Sequence, residues 1–152
     1  MRKHQNRTMA LFYCRNVPGA SEKERIGLEK KYGRCIRLYP IACSGRLEPV
    51  HLLRSLEDFA DVAYVITCPE GECRYFEGNH RALKRVLRTQ EIIAGIGLER
   101  ERVGIIIGSG KDPKTLADIA AEIYEKALKL SPSPVLKQGE TYNDYCTTEA
   151  HR

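Results

Sequence analysis

The chain of 152 residues contains no apolar run close to the roughly 18 residues that a membrane-spanning helix requires. Its basic N-terminus lacks the apolar segment and the cleavage site of a secretory signal peptide. We therefore expect a cytoplasmic protein without a membrane span. The composition, 42% hydrophobic and 30% charged, is that of one globular domain with a substantial core.

The sequence also has no tryptophan, no zinc-finger spacing and no aromatic segment of the kind that RNA-binding sheets carry. Its net charge is +5, but the basic residues are scattered among acidic ones and form no strip. These absences predict that nucleic acid is not a partner. A mildly positive surface is instead compatible with docking to an acidic protein.

Apolar runs alternate with segments of helical periodicity, which is typical of a parallel sheet covered by helices. We predict a single α/β domain with a four-stranded, mostly parallel sheet and helices on both faces, similar to flavodoxin or Rossmann folds. The predicted strands are residues 9–14, 35–42, 62–67 and 103–107, and the predicted helices are residues 22–32, 49–60, 79–95 and 113–130. Pro40 suggests that the second strand lies at an edge of the sheet.

The domain is predicted to span residues 9–130. Residues 1–8 are expected to form a basic N-terminal arm, because they are polar and precede the first strand. From Ser131 the apolar periodicity stops, and residues 131–152 are expected to form an extended C-terminal tail without a core of its own.

Six cysteines are the main chemical signal in the chain. In a cytoplasmic protein of this size, metal, cluster or thiol chemistry explains them better than disulfides do. Cys14, Cys43 and Cys68 each follow an apolar strand-like run, and Cys73 lies on the same strand-to-helix loop as Cys68. Because parallel strands end at one edge of a sheet, where ligands bind, these four thiols should converge there.

The other two cysteines are expected elsewhere. Cys35 opens the second predicted strand, which places it about 25 Å from Cys43 at a rise of about 3.3 Å per residue. We interpret it as an ordinary small buried residue. Cys146 falls in the predicted tail and is interpreted as an idle thiol.

Four thiolates on neighbouring loops are the usual ligands of a 2Fe–2S or 4Fe–4S cluster, and equally of a tetrahedral zinc ion. The first alternative indicates electron transfer. The second, or a site without metal, indicates a thiol–disulfide protein or a non-redox scaffold that only joins subunits. The spacing of the cysteines leaves these alternatives open.

A phosphatase is the less favoured alternative. Cys68 and Arg74 match the C-x5-R phosphate loop, in which a cysteine of low pKa attacks a bound phosphate. However, Glu70 and Glu72 within this loop would repel a phosphate dianion, and no Ser or Thr follows the arginine.

The segment 108–111 reads Gly-Ser-Gly-Lys and resembles a nucleotide-binding P-loop only superficially, because the spacing of that motif is absent. We interpret it as a tight loop. The helix that follows is predicted to be capped near Asp112.

Two motifs carry a resemblance to a known family. They are Cys-Ser-Gly-Arg-Leu-Glu-Pro at residues 43–49 and Cys-Pro-Glu-Gly-Glu-Cys-Arg-Tyr-Phe-Glu-Gly-Asn at residues 68–79. With the first strand, which ends at Cys14 before a nearby Gly-Ala pair, they resemble the small iron–sulfur (delta) subunit of methyl-viologen-reducing hydrogenase. That family is found with heterodisulfide reductase, and the resemblance covers about residues 9–130.

The resemblance implies one 2Fe–2S cluster with Cys43, Cys68 and Cys73 as ligands and Cys14 as the fourth. It implies a non-catalytic subunit of an oxidoreductase complex. Such a subunit relays electrons between a hydrogenase, or another donor module, and the flavin-bearing subunit of heterodisulfide reductase. On this interpretation Arg46 and Arg74 would either offset the negative charge of the cluster or simply pair with nearby glutamates.

The chain departs from the family at one place. The first motif of the family usually carries a second cysteine about three residues after the first, and this chain has Val17 there. The turn reads Arg-Asn-Val-Pro at residues 15–18, in place of the Asn-Trp-Cys pattern of the family. Four cysteines remain, which suffices for one cluster.

Overall fold

The computed structural model describes residues 6–69, 77–108 and 111–136. In these residues strands and helices alternate along the chain. They are β1 (Met9–Cys14), α1 (Glu22–Tyr32), β2 (Ile36–Ile41), α2 (Pro49–Asp58), β3 (Val62–Thr67), α3 (Gly78–Gly95), β4 (Val103–Ile107) and α4 (Leu116–Lys129). All strand pairs are parallel, in the order β2-β1-β3-β4. The predicted α/β architecture is confirmed, and the sheet is wholly rather than mostly parallel.

Helices cover both faces of the sheet. Met9 and Leu11 of β1 belong to the core under α1 and α4, whereas Ala10 and Phe12 belong to the core under α2 and α3. Every residue of β1 and β3 is buried. This burial on both sides explains why these strands appear in the sequence as unbroken apolar runs instead of alternating ones.

The edge strand behaves as its proline predicted. β2 pairs only with β1 among the described strands; Ile36 and Leu38 are buried, whereas Arg37 and Pro40 are exposed. A proline is tolerated here because an edge strand needs fewer N–H donors than a central one.

The start of α4 differs from the prediction. The helix begins at Leu116 and is capped by Thr115, whose side chain accepts a hydrogen bond from the Asp118 N–H in a reciprocal capping box. The predicted cap near Asp112 is therefore wrong. Thr115 is followed three residues later by a carboxylate, and this pair supplies two backbone donors with partners at once.

A polar cluster, buried except for Ser131, occupies the amino edge of the sheet. We call it the amino-edge cluster: Thr8, Asp61, Arg102, Ser131 and Ser133. Asp61 accepts hydrogen bonds from the N–H groups of Thr8 and Ser133 at 2.9 and 2.8 Å. Arg102 is fully buried and donates to the carbonyl oxygens of Asp61 and Ser131 at 3.2 and 2.8 Å. These bonds fasten both ends of the described chain to one edge.

The predicted limits of the arm and the tail stay predictions, because residues 1–5 and 137–152, with Cys146, lie outside the described residues. What the structure adds is that Thr8 and Ser133, next to these limits, are buried. In the part of the chain that is described, no helix combines the length and apolar character needed to cross a bilayer.

Candidate functional site

The candidate site lies at the carboxyl edge of the sheet, between β1 and β3. The chain leaves β1 toward β2 on one side and enters β3 on the other, so a crevice opens at this switch of direction. The register pairs Tyr13 with Ile66 and Cys14 with Ile41, which brings three strand ends to the same level. Cys14, Cys43 and Cys68 therefore reach one edge, where the sequence predicted them.

Cys14 and Cys68 are in direct contact. Their sulfur atoms are 3.1 Å apart, although 54 positions separate the residues in the sequence. Both are buried, and neither forms a disulfide. Two thiolates that share one metal ion can be separated by no more than about 4.6 Å, which is two metal–sulfur bonds of about 2.3 Å. The pair satisfies this condition for a common metal centre.

Cys43 sits on the neighbouring loop. It precedes a short 3-10 turn, Ser44–Arg46, and its sulfur accepts a hydrogen bond from the N–H of Gly45 at 3.4 Å. Amide donors to a sulfur hold a thiolate in place and tune the centre that it binds. This buried thiol also lines a cavity of about 180 Å³ with Arg46 and Arg81.

The loop after β2 and the start of α3 pack backbone against backbone. A Cβ atom on Gly45 would lie 2.9 Å from the Cα of Gly78, a distance that real Cβ atoms essentially never show. Gly45 belongs to the first cysteine motif and Gly78 to the second. The structure thus shows that the first motif packs against the described end of the second motif, which the sequence alone did not reveal.

Arg85 on α3 fastens the same loop and was not predicted from the sequence. Its Nη1 donates to the carbonyl oxygens of Gly45 and Leu47, the latter at 2.8 Å. Its Nη2 lies 3.1 Å from the carboxylate of Glu48. The sequence did contain a signal for this contact. Arg85 lies two helical turns after Gly78 and hence on the same face of α3, the face that meets the Cys43 loop.

Part of the predicted site lies beyond these contacts. Cys73 is outside the described residues, so its role as a ligand stays a prediction. The same holds for Arg74, on which the phosphatase alternative depends. Within residues 6–69, 77–108 and 111–136, no group of three or more His, Cys, Asp or Glu residues is arranged to hold a metal ion. Cys14, Cys43 and Cys68 alone therefore do not form a complete site.

Cys35 is separate from this edge. It is buried before β2, at the opposite end of the strand from Cys43, and it is disulfide-bonded. The prediction of an ordinary buried thiol is wrong in this respect, because it rested on the expected compartment and not on the fold. None of the other three described cysteines is its partner, since none of these forms a disulfide.

Val17 occupies the place where the resemblance led us to look for a further cysteine. Its side chain is buried in the same core as Cys14, and its N–H donates to the carbonyl oxygen of Cys14 at 3.0 Å in a tight turn. The position therefore contributes apolar packing and a turn to the site, and no thiol.

Charged side chains of both signs lie near the candidate site. Arg15, Arg46 and Arg81 are positioned at this edge, and Arg81 forms a long surface ion pair of 3.8 Å with Glu77. Burial raises the pKa of Tyr13, next to Cys14, so its hydroxyl stays neutral at physiological pH.

Comparison with known proteins identifies the family of the chain. Residues 9–131 match the family model described as methyl-viologen-reducing hydrogenase, delta subunit. The chain is similar to the iron-sulfur subunit of the F420-non-reducing hydrogenase of Archaeoglobus profundus, with 32% identity over 105 residues, which are 69% of this chain and 77% of that protein.

Two further relatives extend the comparison. The vhu iron-sulfur subunit of the F420-non-reducing hydrogenase of Methanocaldococcus jannaschii is 25% identical over 127 residues, 83% of this chain and 95% of that protein. One subunit of the Ferredoxin:CoB-CoM heterodisulfide reductase of Methanosarcina mazei is 31% identical over 101 residues, 66% of this chain but 13% of that larger protein. The chain therefore belongs to the methyl-viologen-reducing hydrogenase delta-subunit family, as its two cysteine motifs predicted.

Proposed function

We propose that this chain is a cytoplasmic electron-transfer subunit that holds one 2Fe–2S cluster with Cys14, Cys43, Cys68 and Cys73. The observation that supports it best is the 3.1 Å approach of the Cys14 and Cys68 sulfurs at the end of two neighbouring strands. Cys43, on the adjacent loop, adds a third buried thiol at the same edge. The names of the hydrogenase relatives, iron-sulfur subunits, support the class of cofactor.

The proposed partners follow from the family. The subunit would receive electrons from a hydrogenase or another donor module and pass them to a flavin-bearing subunit of the heterodisulfide-reductase type. The similarity to both hydrogenase subunits and a heterodisulfide reductase subunit supports this position between the two. We assign no catalytic residue.

When bound, a 2Fe–2S cluster supplies a one-electron carrier. The residues of the chain hold the iron through thiolates, and the burial of Cys14, Cys43 and Cys68 keeps water away from them. The Gly45 N–H donates to the Cys43 sulfur and so stabilises its negative charge. The positive charge of Arg46, which lines the cavity beside Cys43, would act in the same direction.

The test is elemental analysis of protein purified without oxygen. We expect about two iron atoms and about two acid-labile sulfides per chain, with visible absorption. A colourless protein that contains zinc would instead support the scaffold alternative. Metal-free protein that hydrolyses a chromogenic phosphate ester would support the phosphatase.

The ligand set is tested by single Cys→Ser changes at residues 14, 43, 68 and 73. Each should weaken or abolish the visible absorption, since each removes one thiolate from the iron. Ser133→Ala is the control, because this residue lies at the opposite edge of the sheet, its hydroxyl has no partner among the described residues, and the change should leave the absorption per folded chain unchanged. A variant that keeps its full spectrum removes that cysteine from the ligand set.

A further inference from the structure

We infer that Arg85 is a positioning residue of the site, which acts through the loop that carries Cys43. This inference rests on the proposed function, because it concerns how one ligand of the cluster is held. Arg85 acts on the backbone of the residues that follow Cys43, and one of these, Gly45, in turn contacts the sulfur.

The contacts form a short chain from the guanidinium to the thiol. The carbonyl oxygen of Gly45 accepts a hydrogen bond from Arg85, while the N–H of Gly45 donates to the Cys43 sulfur at 3.4 Å. Glycine has the freest backbone of all residues, so its N–H direction is poorly defined unless something restrains it. Arg85 supplies that restraint on one side and Gly78, in close contact with Gly45, on the other.

Arg85 suits this role by its shape more than by its charge. Its planar fork reaches two carbonyl oxygens and the Glu48 carboxylate together, which a lysine ammonium on a flexible stem does less well. The pairing with Glu48 offsets its charge, and only 28% of its side chain is exposed. We therefore expect geometry at Cys43, and not net charge, to depend on this residue.

The neighbouring Arg88 offers a matched control on the same helix. It is exposed and forms a surface pair with Glu91 at 3.2 Å, in which both side chains are more than half exposed. Surface pairs of this kind contribute little to stability. Arg85→Met and Arg88→Met therefore remove the same charge from the same helix with different structural consequences.

The experiment uses the full chain purified without oxygen, as wild type, Arg85→Met, Arg85→Lys and Arg88→Met. In Arg85→Met, iron should be lost to a chelator about 10-fold faster or more, the size of effect typical of groups that orient metal ligands. The midpoint potential should also become more negative, because a weakened N–H···S bond stabilises the reduced centre less. Arg85→Lys should recover part of the iron retention and part of the shift in potential. Arg88→Met should match the wild type in both measurements.

Equal potentials and equal iron loss in Arg85→Met and Arg88→Met would overturn the inference. So would a lower unfolding temperature in Arg85→Met with an unchanged potential, since that is the mark of a purely structural residue. Should Arg85→Met fail to fold, the same comparison is made between Arg85→Lys and Arg88→Lys.

A second readout separates this inference from the proposed function. If the wild-type protein proves to hold no cluster, the proposed function fails, but the loop can still be examined by alkylation. Iodoacetamide should then label Cys43 faster in Arg85→Met than in Arg88→Met, as followed by mass spectrometry of the peptide. Equal labelling rates would contradict the inference on its own.

Discussion

At the scale of single residues, the packing of the candidate site requires a residue without a side chain at position 45. The backbone of Gly78 lies where a Cβ atom of Gly45 would be, and backbone atoms of a helix start cannot move aside cheaply. Gly27, in the middle of α1, is the opposite case, because nothing lies within 4 Å of the position of its Cβ. The same substitution should therefore have opposite signs at these two glycines.

We predict that Gly45→Ala lowers the free energy of unfolding by about 1–3 kcal/mol, the usual result of forcing a methyl group into packed space. It should also weaken cofactor retention, because the Cys43 loop must move away from α3. Gly27→Ala should raise the free energy of unfolding by about 0.5–1 kcal/mol, since alanine is the better helix former. Denaturant titration measures both, and a Gly45→Ala variant as stable as the wild type would show that the backbone contact is not tight.

At the scale of elements, the hydrogen bonds at the start of a helix fix where that helix packs on the sheet. The start of α4 matters most, because the helix buries Leu116, Ile119 and Ile123 against the sheet. Its first N–H, from Leu116, donates to the carbonyl oxygen of Pro18 at 2.8 Å, in the loop that follows Cys14. The cap of this helix therefore connects the core to the surroundings of the site.

Thr115→Ala should lower the free energy of unfolding by about 1 kcal/mol, because it removes the side-chain oxygen that accepts from the Asp118 N–H. Thr115→Ser keeps this oxygen and should restore most of the loss. Thermal or denaturant unfolding of both variants checks the prediction. Equal stability of the two would mean that the hydroxyl plays no part in capping.

At the scale of the whole molecule, the two edges of the sheet have different tasks. The carboxyl edge carries the thiols, and the amino edge carries the amino-edge cluster, which fastens both ends of the described chain. Asp61 accepts from Thr8 near the start and from Ser133 near the end. The hydroxyl of Ser133 is buried and has no hydrogen-bond partner among the described residues. Backbone and side chain of this serine can therefore be tested separately.

Ser133→Pro should lower the free energy of unfolding by about 1–3 kcal/mol. The change removes the backbone N–H that donates to Asp61 and leaves that carboxylate oxygen without its donor. Ser133→Ala should be neutral or slightly stabilising, because it removes only the unpartnered hydroxyl. The two are compared by denaturant titration. A destabilised Ser133→Ala would indicate that the hydroxyl has a role of its own.

The pH dependence of stability should report on Glu99. The hydrogen bond from Arg102, at 2.5 Å, lowers the pKa of this carboxyl from its ordinary value of 4.5. The stabilisation of the folded state by the Glu99 carboxylate is therefore fully present above about pH 4.5, and it is lost as the pH falls through the lower pKa of the folded state. Glu99→Gln should cost on the order of 1 kcal/mol at pH 7, a modest figure because water screens a side chain that is 43% exposed.

In acid the difference between wild type and Glu99→Gln should shrink below about pH 4.5 and then disappear. Unfolding titrations at a series of pH values measure it. A difference that persists unchanged in acid would show that the carboxylate charge is not what stabilises Arg102.

Much of this molecule could be predicted from local patterns. The apolar runs gave three strands to the residue, the helix predicted over residues 22–32 coincides with α1, and parallel topology gave the edge at which the thiols meet. The contacts of Asp61 with Thr8 and Ser133 could not be predicted, because these partners lie 53 and 72 positions away in the sequence. The disulfide of Cys35 escaped for a related reason, since a spacing rule does not show which cysteines the fold brings together.

The adjacency of β1 and β3 sets the order in which this protein can be assembled. The elements α1, β2 and α2 separate Cys14 from Cys68 in the sequence, so the two sulfurs meet only after these elements have been synthesised and β3 has paired with β1. A nascent chain on the ribosome is therefore unable to present the pair until its third strand has emerged and docked. A group that binds across these strands would therefore require β1 and β3 to be paired first, and it would stabilise the folded chain against unfolding.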